Sequence, residues 1–317
     1  MSDFHPGIRE ISIKDFRGID ELKLSFVGPR DYPSHVVVLG GPNGCGKTAV
    51  LEACLLAGGH ERLIRGKAGP QAIRAGAGDY HIEATIQVQQ TRTKVICESR
   101  RPGRELVPFV YYSSWRAPTL PGPVGITVGK KGKRPAKTEE NRLLSIKQYF
   151  ANAGAQVNFP NVPPTLVEQF RAATNDLNRA WQMFYPDQSI GVQLLTEQLG
   201  EGLDMYLNRP DAPPLSVDLL SSGQLELLAF IGGLVIDKSP QGIMFIDEPE
   251  LHLDPQWHRQ VLKVLQFLKP EWQIVVATHS PDIYDSVRSF ERRFLVPATD
   301  PRAKGWNAKA MTEEVES

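Results

Sequence analysis

The chain has 317 residues, of which 41% are hydrophobic, and its 36 basic and 36 acidic side chains balance to a formal net charge of zero. This length allows one large core, or one core with a substantial inserted subdomain. Zero net charge excludes a general electrostatic attraction to nucleic acid or to a membrane surface, so any such contact has to come from a local patch.

The first third of the chain reads mainly as strands. Alternation of apolar and polar residues predicts strands over these ranges: 8–16, 22–27, 80–89, 92–97 and 107–112. We interpret the last three as an antiparallel part of the fold. A Val-rich run at 35–39 has the pattern of a buried central strand, and a glycine-rich turn and a helix over 47–57 follow it.

The middle of the chain differs in composition. Residues 117–137 are rich in Pro, Gly and Lys, which predicts an exposed, mobile loop. Helices are predicted around 139–152 and 164–185, and strands at 190–196 and 203–207. The basic residues of the loop suit phosphate binding, but also a solvated loop or a partner-docking segment; they are Lys130, Lys131, Lys133, Arg134 and Lys137.

Helices and strands alternate in the last third. The predicted helices and strands are, in chain order, 222–236, 243–246, 255–268, 273–277 and 281–287. This alternation indicates a parallel sheet with helices on its faces. We therefore expect a single α/β domain with a mainly parallel core sheet, an antiparallel β subdomain and a helical insertion.

The expected organisation of that domain has four parts. They are an N-terminal lobe (1–116), a flexible loop and helical insertion (117–189), a C-terminal lobe (190–296) and a polar tail (297–317). Cys45, Cys54 and Cys97 have no metal-ligand spacing, which indicates reduced thiols. No apolar run approaches the roughly 18 residues that cross a bilayer, and the first residues lack a signal segment. We expect a cytoplasmic protein.

Residues 41–48 match the phosphate-loop pattern G-x-x-x-x-G-K-[ST] between a buried strand and a helix. Glycines let the backbone wrap closely around phosphates, and the helix places its positive end there. The lysine reaches the β- and γ-phosphates and the threonine hydroxyl ligates Mg²⁺. The candidate residues of this loop are Gly41, Asn43, Gly44, Gly46, Lys47 and Thr48.

Two adjacent carboxylates follow the apolar run at 243–246. A buried strand that ends in this way delivers its carboxylate to a metal beside the phosphates. Asp247 is the candidate Mg²⁺ ligand, and Glu248 is placed to polarise the attacking water.

Residues 220–224 read Leu-Ser-Ser-Gly-Gln and open a helix. A serine and amides at a helix start can bind an anion. Such a site would serve a phosphate brought by a second molecule. Simple capping by Ser221 or Ser222 explains the same residues, and on local grounds it is the favoured reading.

Five motifs in one order resemble those of ABC-type ATPases. They are the phosphate loop at 41–48, the signature at 221–224, the acidic strand end at 247–249, the D-loop at 253–255 and the switch histidine at 278–280. The resemblance implies an ABC-type P-loop ATPase head that hydrolyses ATP with Mg²⁺. It also implies that two copies dock head to tail, as a homodimer or a higher even assembly.

In that arrangement each ATP is held by the phosphate loop of one copy and the signature of the other. Ser222 and Gly223 would then bind the γ-phosphate across the dimer, and Asp254 would couple the two sites. His279 would contact the γ-phosphate and the attacking water. A histidine with ordinary partners at a strand end is the plainer alternative.

The N-terminal segment 11–19 resembles the opening strand of RecF, SMC and OLD-type ATPases. The resemblance makes Arg17 a candidate nucleotide contact, with an exposed turn arginine as the alternative. The glutamine that approaches the metal in ABC ATPases has three candidates, Gln87, Gln89 and Gln90, of which Gln90 is favoured. Arg116 follows a strand end similar to that of compact ATPases, without an assignable role.

The compact size and the absence of a nuclease centre favour one function among three. The chain resembles the compact prokaryotic antiphage-defence ATPases of the PtuA kind, which implies that it regulates a separate effector protein. A RecF-like DNA-repair ATPase that binds nucleic acid is the alternative. The nucleotide-binding subunit of a membrane transporter is disfavoured by the start at 16–18 and by the Ser-Ser-Gly-Gln signature.

Overall fold

The computed structural model describes residues 5–64, 69–113, 142–157, 162–195, 202–251 and 253–297. These residues form two compact units that alternate along the chain. The first unit takes the described residues within 1–114, 239–251 and 269–317, and the second takes those within 115–238 and 252–268. Among the described residues, no helix combines the length and apolarity needed to span a bilayer.

Twelve strands are described, numbered along the chain. They are β1 (Gly7–Phe16), β2 (Ile19–Ser25), β3 (Val36–Gly40), β4 (His81–Val88), β5 (Thr91–Glu98), β6 (Phe109–Tyr112), β7 (Ser189–Leu195), β8 (Gly202–Arg209), β9 (Ala212–Ser216), β10 (Gly242–Asp247), β11 (Trp272–Ala277) and β12 (Arg292–Phe294).

Six α-helices are described. They are α1 (Lys47–Ala57), α2 (Arg142–Gln156), α3 (Pro164–Gln182), α4 (Ser222–Ile236), α5 (His258–Leu268) and α6 (Pro281–Asp285). Helices α1 and α4 begin and end at the residues predicted from the sequence pattern. A short 3-10 turn, Pro255–Trp257, precedes α5.

The first unit contains a five-stranded parallel sheet in the order β12-β3-β11-β10-β6. Every residue of β3, β10 and β11 is buried, which is why these strands read as continuous apolar runs. A four-stranded antiparallel sheet, β2-β1-β4-β5, completes this unit. Helix α1 contacts strands of both sheets and is buried along nearly its whole length. The predicted α/β class is confirmed.

The second unit contains an antiparallel sheet, β7-β8-β9, and helices α2 to α5. Helix α3 buries Ala173, Leu177, Ala180 and Trp181, which share one face at helical spacing. Helix α4 is buried from Leu225 to Ile236, as expected of a helix that is apolar on all sides.

Three strands differ from the sequence prediction. Strand β6 was expected in the antiparallel part, but it pairs parallel to β10 at the edge of the core sheet. Strand β9 was not predicted because it contains two prolines; it lies at a sheet edge, where a missing N–H is tolerated. Strand β12 has only three residues, too few for a pattern.

The division into units also differs from the expected lobes. Residues 190–238 belong to the second unit, whereas β10 and β11 belong to the first. The expected C-terminal lobe of 190–296 is therefore divided. Dividing the sequence into consecutive lobes missed this arrangement because the chain returns to the parallel sheet twice. Strand pairing, rather than sequence order, decides which segments share a core.

A buried lysine joins three segments of the second unit. Lys147 in α2 is fully buried, and its Nζ atom lies 2.6 Å from Asp204 Oδ1 in β8 and 2.6 Å from Asp218 Oδ2. Asp204 also accepts a hydrogen bond of 2.7 Å from Ser216 Oγ. Asp218 lies three residues before Ser221, so the lysine anchors the segment that leads into α4.

Replacing this lysine tests how much the anchor contributes. We expect Lys147→Met to lower the free energy of unfolding by about 3–5 kcal/mol, because it leaves buried carboxylates without their cation. Urea denaturation followed by circular dichroism measures the change. Lys263→Met, at an exposed position of α5, should stay within about 0.5 kcal/mol of the parent. Equal stability of the two variants would contradict the prediction.

Candidate functional site

The predicted site residues of the first unit gather at one edge of the parallel sheet. Asp247 at the end of β10 pairs with Ala277 at the end of β11, and Ala277 pairs with Leu39 of β3. The segments after these three strands therefore leave the same edge. Ligands of open parallel sheets bind in the crevice outside such carboxyl ends.

The phosphate loop follows β3 and has a backbone that requires glycine. Gly41, Gly44 and Gly46 have φ angles of 145°, 76° and 96°, which L side chains rarely adopt. Gly46 precedes the first residue of α1, and no side chain caps that helix start. The first amides of α1 are thus available for an anion, at the positive end of the helix. Asn43 is exposed in the same loop.

The Lys47 ammonium contacts four acceptors around the loop, among them Cys45 Sγ at 3.8 Å. Its Nζ atom donates to the backbone oxygens of Gly41 at 2.8 Å and Pro42 at 3.0 Å. It also lies 3.3 Å from His279 Nδ1. Because an ammonium only donates, His279 Nδ1 is the acceptor and the proton of the neutral ring lies on Nε2.

Glu248 lies on the other side of His279. His279 Nε2 is 3.2 Å from Glu248 Oε1. With Nδ1 accepting from Lys47, the Nε2–H group of the ring faces this carboxylate. Glu248 has a φ angle of 50°, and its backbone N donates to Ala277 O at 2.8 Å. A left-handed conformation at a non-glycine residue is uncommon and clusters at functional sites. The sharp turn after Asp247 separates the directions of the two adjacent carboxylates.

Thr48 and Asp247 provide the predicted metal oxygens. Thr48 Oγ1 donates to Asp247 Oδ2 at 2.9 Å, so a hydroxyl and a carboxylate meet at the start of α1. This donor set fits Mg²⁺, which proteins hold through one or two carboxylates together with substrate phosphates. Together with the glycine conformations and the uncapped helix start, it fits a nucleotide phosphate chain with its magnesium.

Glu250 is a site residue that the sequence analysis missed. Its Oε1 atom accepts hydrogen bonds from Thr278 Oγ1 at 2.8 Å, His279 N at 2.7 Å and Ser280 N at 3.1 Å. One carboxylate oxygen therefore holds the segment that carries the switch histidine. The only available signal was a third acidic residue after β10, which is common in turns.

Arg17 lies beside the first turns of α1. Its Nε atom is 2.7 Å from Glu52 Oε2, and its side chain is 32% exposed. The Ile19 side chain of the same turn lies against Gly46, where an added Cβ would meet it at 3.4 Å. Burial raises the pKa of Glu52 to about 6, opposed by Arg17 and reinforced by Asp247. The structure thus brings Arg17 next to the phosphate-loop helix.

The structure does not bring Gln90 to the site, so the prediction that it is a metal ligand is wrong. It lies in the turn between β4 and β5, beyond Gln87, which pairs with Gly7 at the start of β1. Arg17 follows the other end of β1, which has 10 residues and spans about 30 Å. Residue spacing from the phosphate loop suggested Gln90. The turn that contains it, however, lies at the opposite end of β1 from Arg17 and therefore far from the phosphate-loop helix.

Ser113 is a further polar residue at this edge of the sheet. Strand β6 runs parallel to β10 with Tyr112 paired to Ile246. The next residue, Ser113, is therefore beside the strand end that carries Asp247, and it is 4% exposed. The serine was visible in the sequence, but only the parallel pairing of β6 reveals this position.

The signature residues lie at the start of α4 in the second unit. Ser221 caps the helix in a capping box with Gln224: its Oγ accepts from Gln224 N at 3.4 Å, and Gln224 Oε1 accepts from Ser221 N at 3.2 Å. The capping reading is therefore correct for Ser221. Ser222 is exposed and Gly223 is half-buried, so the helix start still presents a hydroxyl outward.

Asp254 belongs to the second unit as well. It is exposed, and its Oδ1 atom accepts from Gln256 N at 3.1 Å at the start of the 3-10 turn. Arg116 and the basic residues at 130–137 lie outside the described residues. Arg116 has no assigned role, and the readings of the basic residues as a phosphate-binding, solvated or partner-docking loop stay predictions.

Two family models match overlapping parts of the sequence, each slightly less than half of the chain. One, described as "AAA domain, putative AbiEii toxin, Type IV TA system", matches residues 131–285. The other, described as "AAA domain", matches residues 10–159. The fold is similar to that of the SMC head bound to the C-winged helix domain of ScpA, with a TM-score of 0.54 and 16% identity over 89% of this chain and 92% of that one.

Curated relatives match nearly the whole chain at low identity. The Septu protein PtuA of Bacillus thuringiensis is 21% identical over 351 residues, which is 97% of this chain and 83% of the relative. The Septu protein PtuA of Bacillus mycoides (strain KBAB4) is 22% identical over 328 residues, which is 96% of this chain. The chain spans 44% of that relative. A shorter match, 28% identical over 137 residues, joins 36% of this chain to 26% of the Retron Vc95 probable ATPase of Vibrio cholerae. The predicted resemblance to SMC-like ABC ATPases of the PtuA kind is confirmed.

Two glycines of the phosphate loop offer a matched test of its geometry. A Cβ on Gly41 would lie 2.3 Å from Leu295 O and 2.8 Å from Cys45 Sγ, whereas a Cβ on Gly44 would meet nothing within 4 Å. We expect Gly41→Ala to displace the loop and abolish ATP binding. Gly44→Ala should cost about 1–2 kcal/mol of backbone strain and retain binding. Titration with a fluorescent ATP analogue measures both, and equal binding would contradict this assignment.

Glu250 should control turnover through the histidine segment. We expect Glu250→Ala to lower kcat about 10- to 100-fold, because a displaced His279 no longer aligns with Glu248. ATP binding should change little, since Glu250 does not contact the phosphate loop through any described hydrogen bond. Steady-state phosphate release measures kcat and KM separately.

Two controls accompany this variant. Glu250→Gln keeps an acceptor oxygen and should retain more turnover than the alanine variant. Glu168→Ala, at an exposed position of α3, should behave as the parent. Full turnover by Glu250→Ala would refute the positioning role.

Proposed function

We propose that this P-loop ATPase of the SMC-like ABC type hydrolyses ATP at sites shared by two copies of the chain. We further propose that the ATP-bound dimer regulates a separate effector protein in prokaryotic antiviral defence. The observation that carries the hydrolytic part is the connected group of Lys47, His279 and Glu248 beside Thr48 and Asp247.

Each residue of that group has a distinct task. Lys47 holds the β- and γ-phosphates, exchanging its carbonyl acceptors for phosphate oxygens. Glu248 orients the attacking water and accepts its proton, and His279 donates from Nε2 to keep that carboxylate in place. A magnesium ion held by Thr48 and Asp247 would neutralise charge on the phosphates. Arg17, paired with Glu52 of α1, would contact the nucleotide.

The shared site is supported by the helix start of α4. Ser221 performs the capping, which leaves Ser222 and Gly223 to offer a hydroxyl and an amide to the γ-phosphate held by a second copy. Asp254, exposed at the start of its turn, would meet that copy and couple the two sites. Both elements belong to the second unit, while the phosphate loop belongs to the first.

The defence role is supported by similarity to the Septu PtuA proteins over nearly the full chain. The five motifs account for binding and hydrolysis of ATP and include no second catalytic centre. A chain whose motifs serve ATP-dependent association is suited to regulating a separate effector protein. The identity of that effector would depend on the surface that binds it.

Two substitutions test the shared site. We expect Glu248→Gln to lower turnover at least about 100-fold, as loss of a water-orienting group does, and to trap an ATP-bound dimer. Adding Ser222→Arg should keep this variant monomeric, because a long cation replaces the γ-phosphate contact. Light scattering with and without ATP measures the assembly.

The control is Thr165→Arg, which puts the same side chain in the exposed first turn of α3 and should not prevent dimerisation. Full turnover by Glu248→Gln, or ATP-dependent dimers in the presence of Ser222→Arg, would disprove the assignment. For the effector, affinity purification from the host with Glu248→Gln should recover a protein that Ser222→Arg does not. Recovery of this chain alone with both would contradict the regulatory role.

A further inference from the structure

The buried ion group of the second unit lies directly before the signature in the chain. The Lys147 side chain of α2 is fully buried, and its Nζ atom lies 2.6 Å from a carboxylate oxygen of Asp204 in β8 and 2.6 Å from one of Asp218. The Asp204 side chain is 3% exposed and that of Asp218 is 17% exposed. One ammonium therefore joins a helix and a strand to the short segment that leads into α4.

That segment is a 3-10 turn, Val217–Leu219, between β9 and α4. Ser216 begins the turn: its Oγ atom accepts from Asp218 N at 3.3 Å and donates to Asp204 Oδ2 at 2.7 Å. Ser221, the N-cap of α4, follows Asp218 by three residues. Fixing the Asp218 carboxylate therefore restricts where α4 can begin.

Apolar packing holds this turn from one side only. Val217 is fully buried, whereas Leu219 is 70% exposed. Hydrophobic contact is non-directional, while a hydrogen-bonded ion pair specifies both a distance and a direction. The contact between Asp218 and Lys147 thus gives the turn a defined position that the burial of Val217 alone would not give.

We propose that Asp218, held by Lys147, is a positioning residue that fixes the start of α4 so that Ser222 and Gly223 can meet the γ-phosphate held by a second copy. The proposal rests on the shared ATP site proposed above. Asp218 acts through the turn that it anchors, and not by contact with the nucleotide.

The energetics of buried charge favour this role over a purely stabilising one. Removing three charged groups from water costs about as much as their mutual attraction returns, and apolar side chains in place of a complete buried ion group are often as stable or more stable. A defined geometry is what such a group can add. An exposed helix start that is fixed in advance also need not be ordered when a second copy binds, which strengthens association.

Three substitutions test the proposal. Asp218→Ala removes the contact with the turn but leaves Lys147 paired with Asp204, so the buried ammonium keeps a carboxylate and the variant should fold. Asp218→Asn keeps an oxygen that can accept from the same ammonium. Asp204→Asn is the matched control on the strand side of the group, where Asp204 Oδ1 also accepts from Met205 N at 2.8 Å; the asparagine oxygen can keep both contacts.

The first measurement is hydrogen–deuterium exchange without ATP, read by mass spectrometry at the start of α4. Gln224 N donates to Ser221 Oγ at 3.4 Å and Leu225 N donates to Ser221 O at 2.9 Å, so these amides report how firmly the helix start is held. We expect Asp218→Ala to speed their exchange about three- to tenfold, the equivalent of one hydrogen bond. Asp218→Asn should speed it less, and Asp204→Asn should stay near the parent.

The second measurement is ATP-dependent dimerisation of full-length variants, all carrying Glu248→Gln. We expect Asp218→Ala to raise the ATP concentration at half-maximal dimerisation about three- to tenfold, and Asp204→Asn to change it less than about twofold. Binding of ATP to the monomer, measured with Ser222→Arg in place, should be the same with and without Asp218→Ala, because the phosphate loop belongs to the other unit.

A merely structural role would give a different pattern. Dimerisation would then follow the free energy of unfolding across the three variants, measured by urea denaturation, and not the exchange rate at the start of α4. That pattern, unchanged exchange or dimerisation by Asp218→Ala, or an equal loss of monomer ATP binding would each overturn the proposal.

The same assays distinguish failure of this inference from failure of the shared site. If Ser222→Arg leaves ATP-dependent dimers intact, the shared site is wrong and the positioning role falls with it, whatever the exchange rates. If Ser222→Arg blocks dimerisation while Asp218→Ala dimerises as the parent does, the shared site stands and only the role of Asp218 is wrong.

Discussion

The ammonium group of Lys47 joins the phosphate loop to the histidine segment of the candidate site. It closes the phosphate loop on the carbonyls of Gly41 and Pro42 and reaches His279, 232 residues further along the chain. This reach exists because β3 and β11 are parallel neighbours, so the segments that follow them leave the same edge. The other nitrogen of the same histidine, Nε2, lies 3.2 Å from Glu248 Oε1, so one ring connects the lysine to this carboxylate.

Three carboxylates within four residues take different roles because each faces a different partner. Asp247 meets the Thr48 hydroxyl, Glu248 meets the His279 ring, and Glu250 accepts backbone amides of the histidine segment. The positive φ angle of Glu248 makes this divergence possible. A regular strand continuation would have placed alternate side chains on opposite faces of the sheet. The left-handed turn at Glu248 thus accompanies three separate sets of contacts.

The start of α4 shows that a structural reading and a functional one need not exclude each other. The Ser221 side chain accepts a hydrogen bond from a backbone amide of the first turn, as local capping rules require. Its neighbour Ser222 is exposed. Capping by Ser221 is therefore compatible with the contact proposed for Ser222.

The sequence by itself determined those features whose physics is local: the bounds of α1 and α4, the phosphate loop with its obligatory glycines, the acidic end of β10 and the α/β class. Only the tertiary structure decided which distant segments meet. The parallel placement of β6 beside β10, which brings Ser113 to the edge and leaves Gln90 remote, depends on strand pairing between residues more than 130 apart. The same is true of Glu250, because side-chain contacts between distant segments leave no periodic pattern in the sequence.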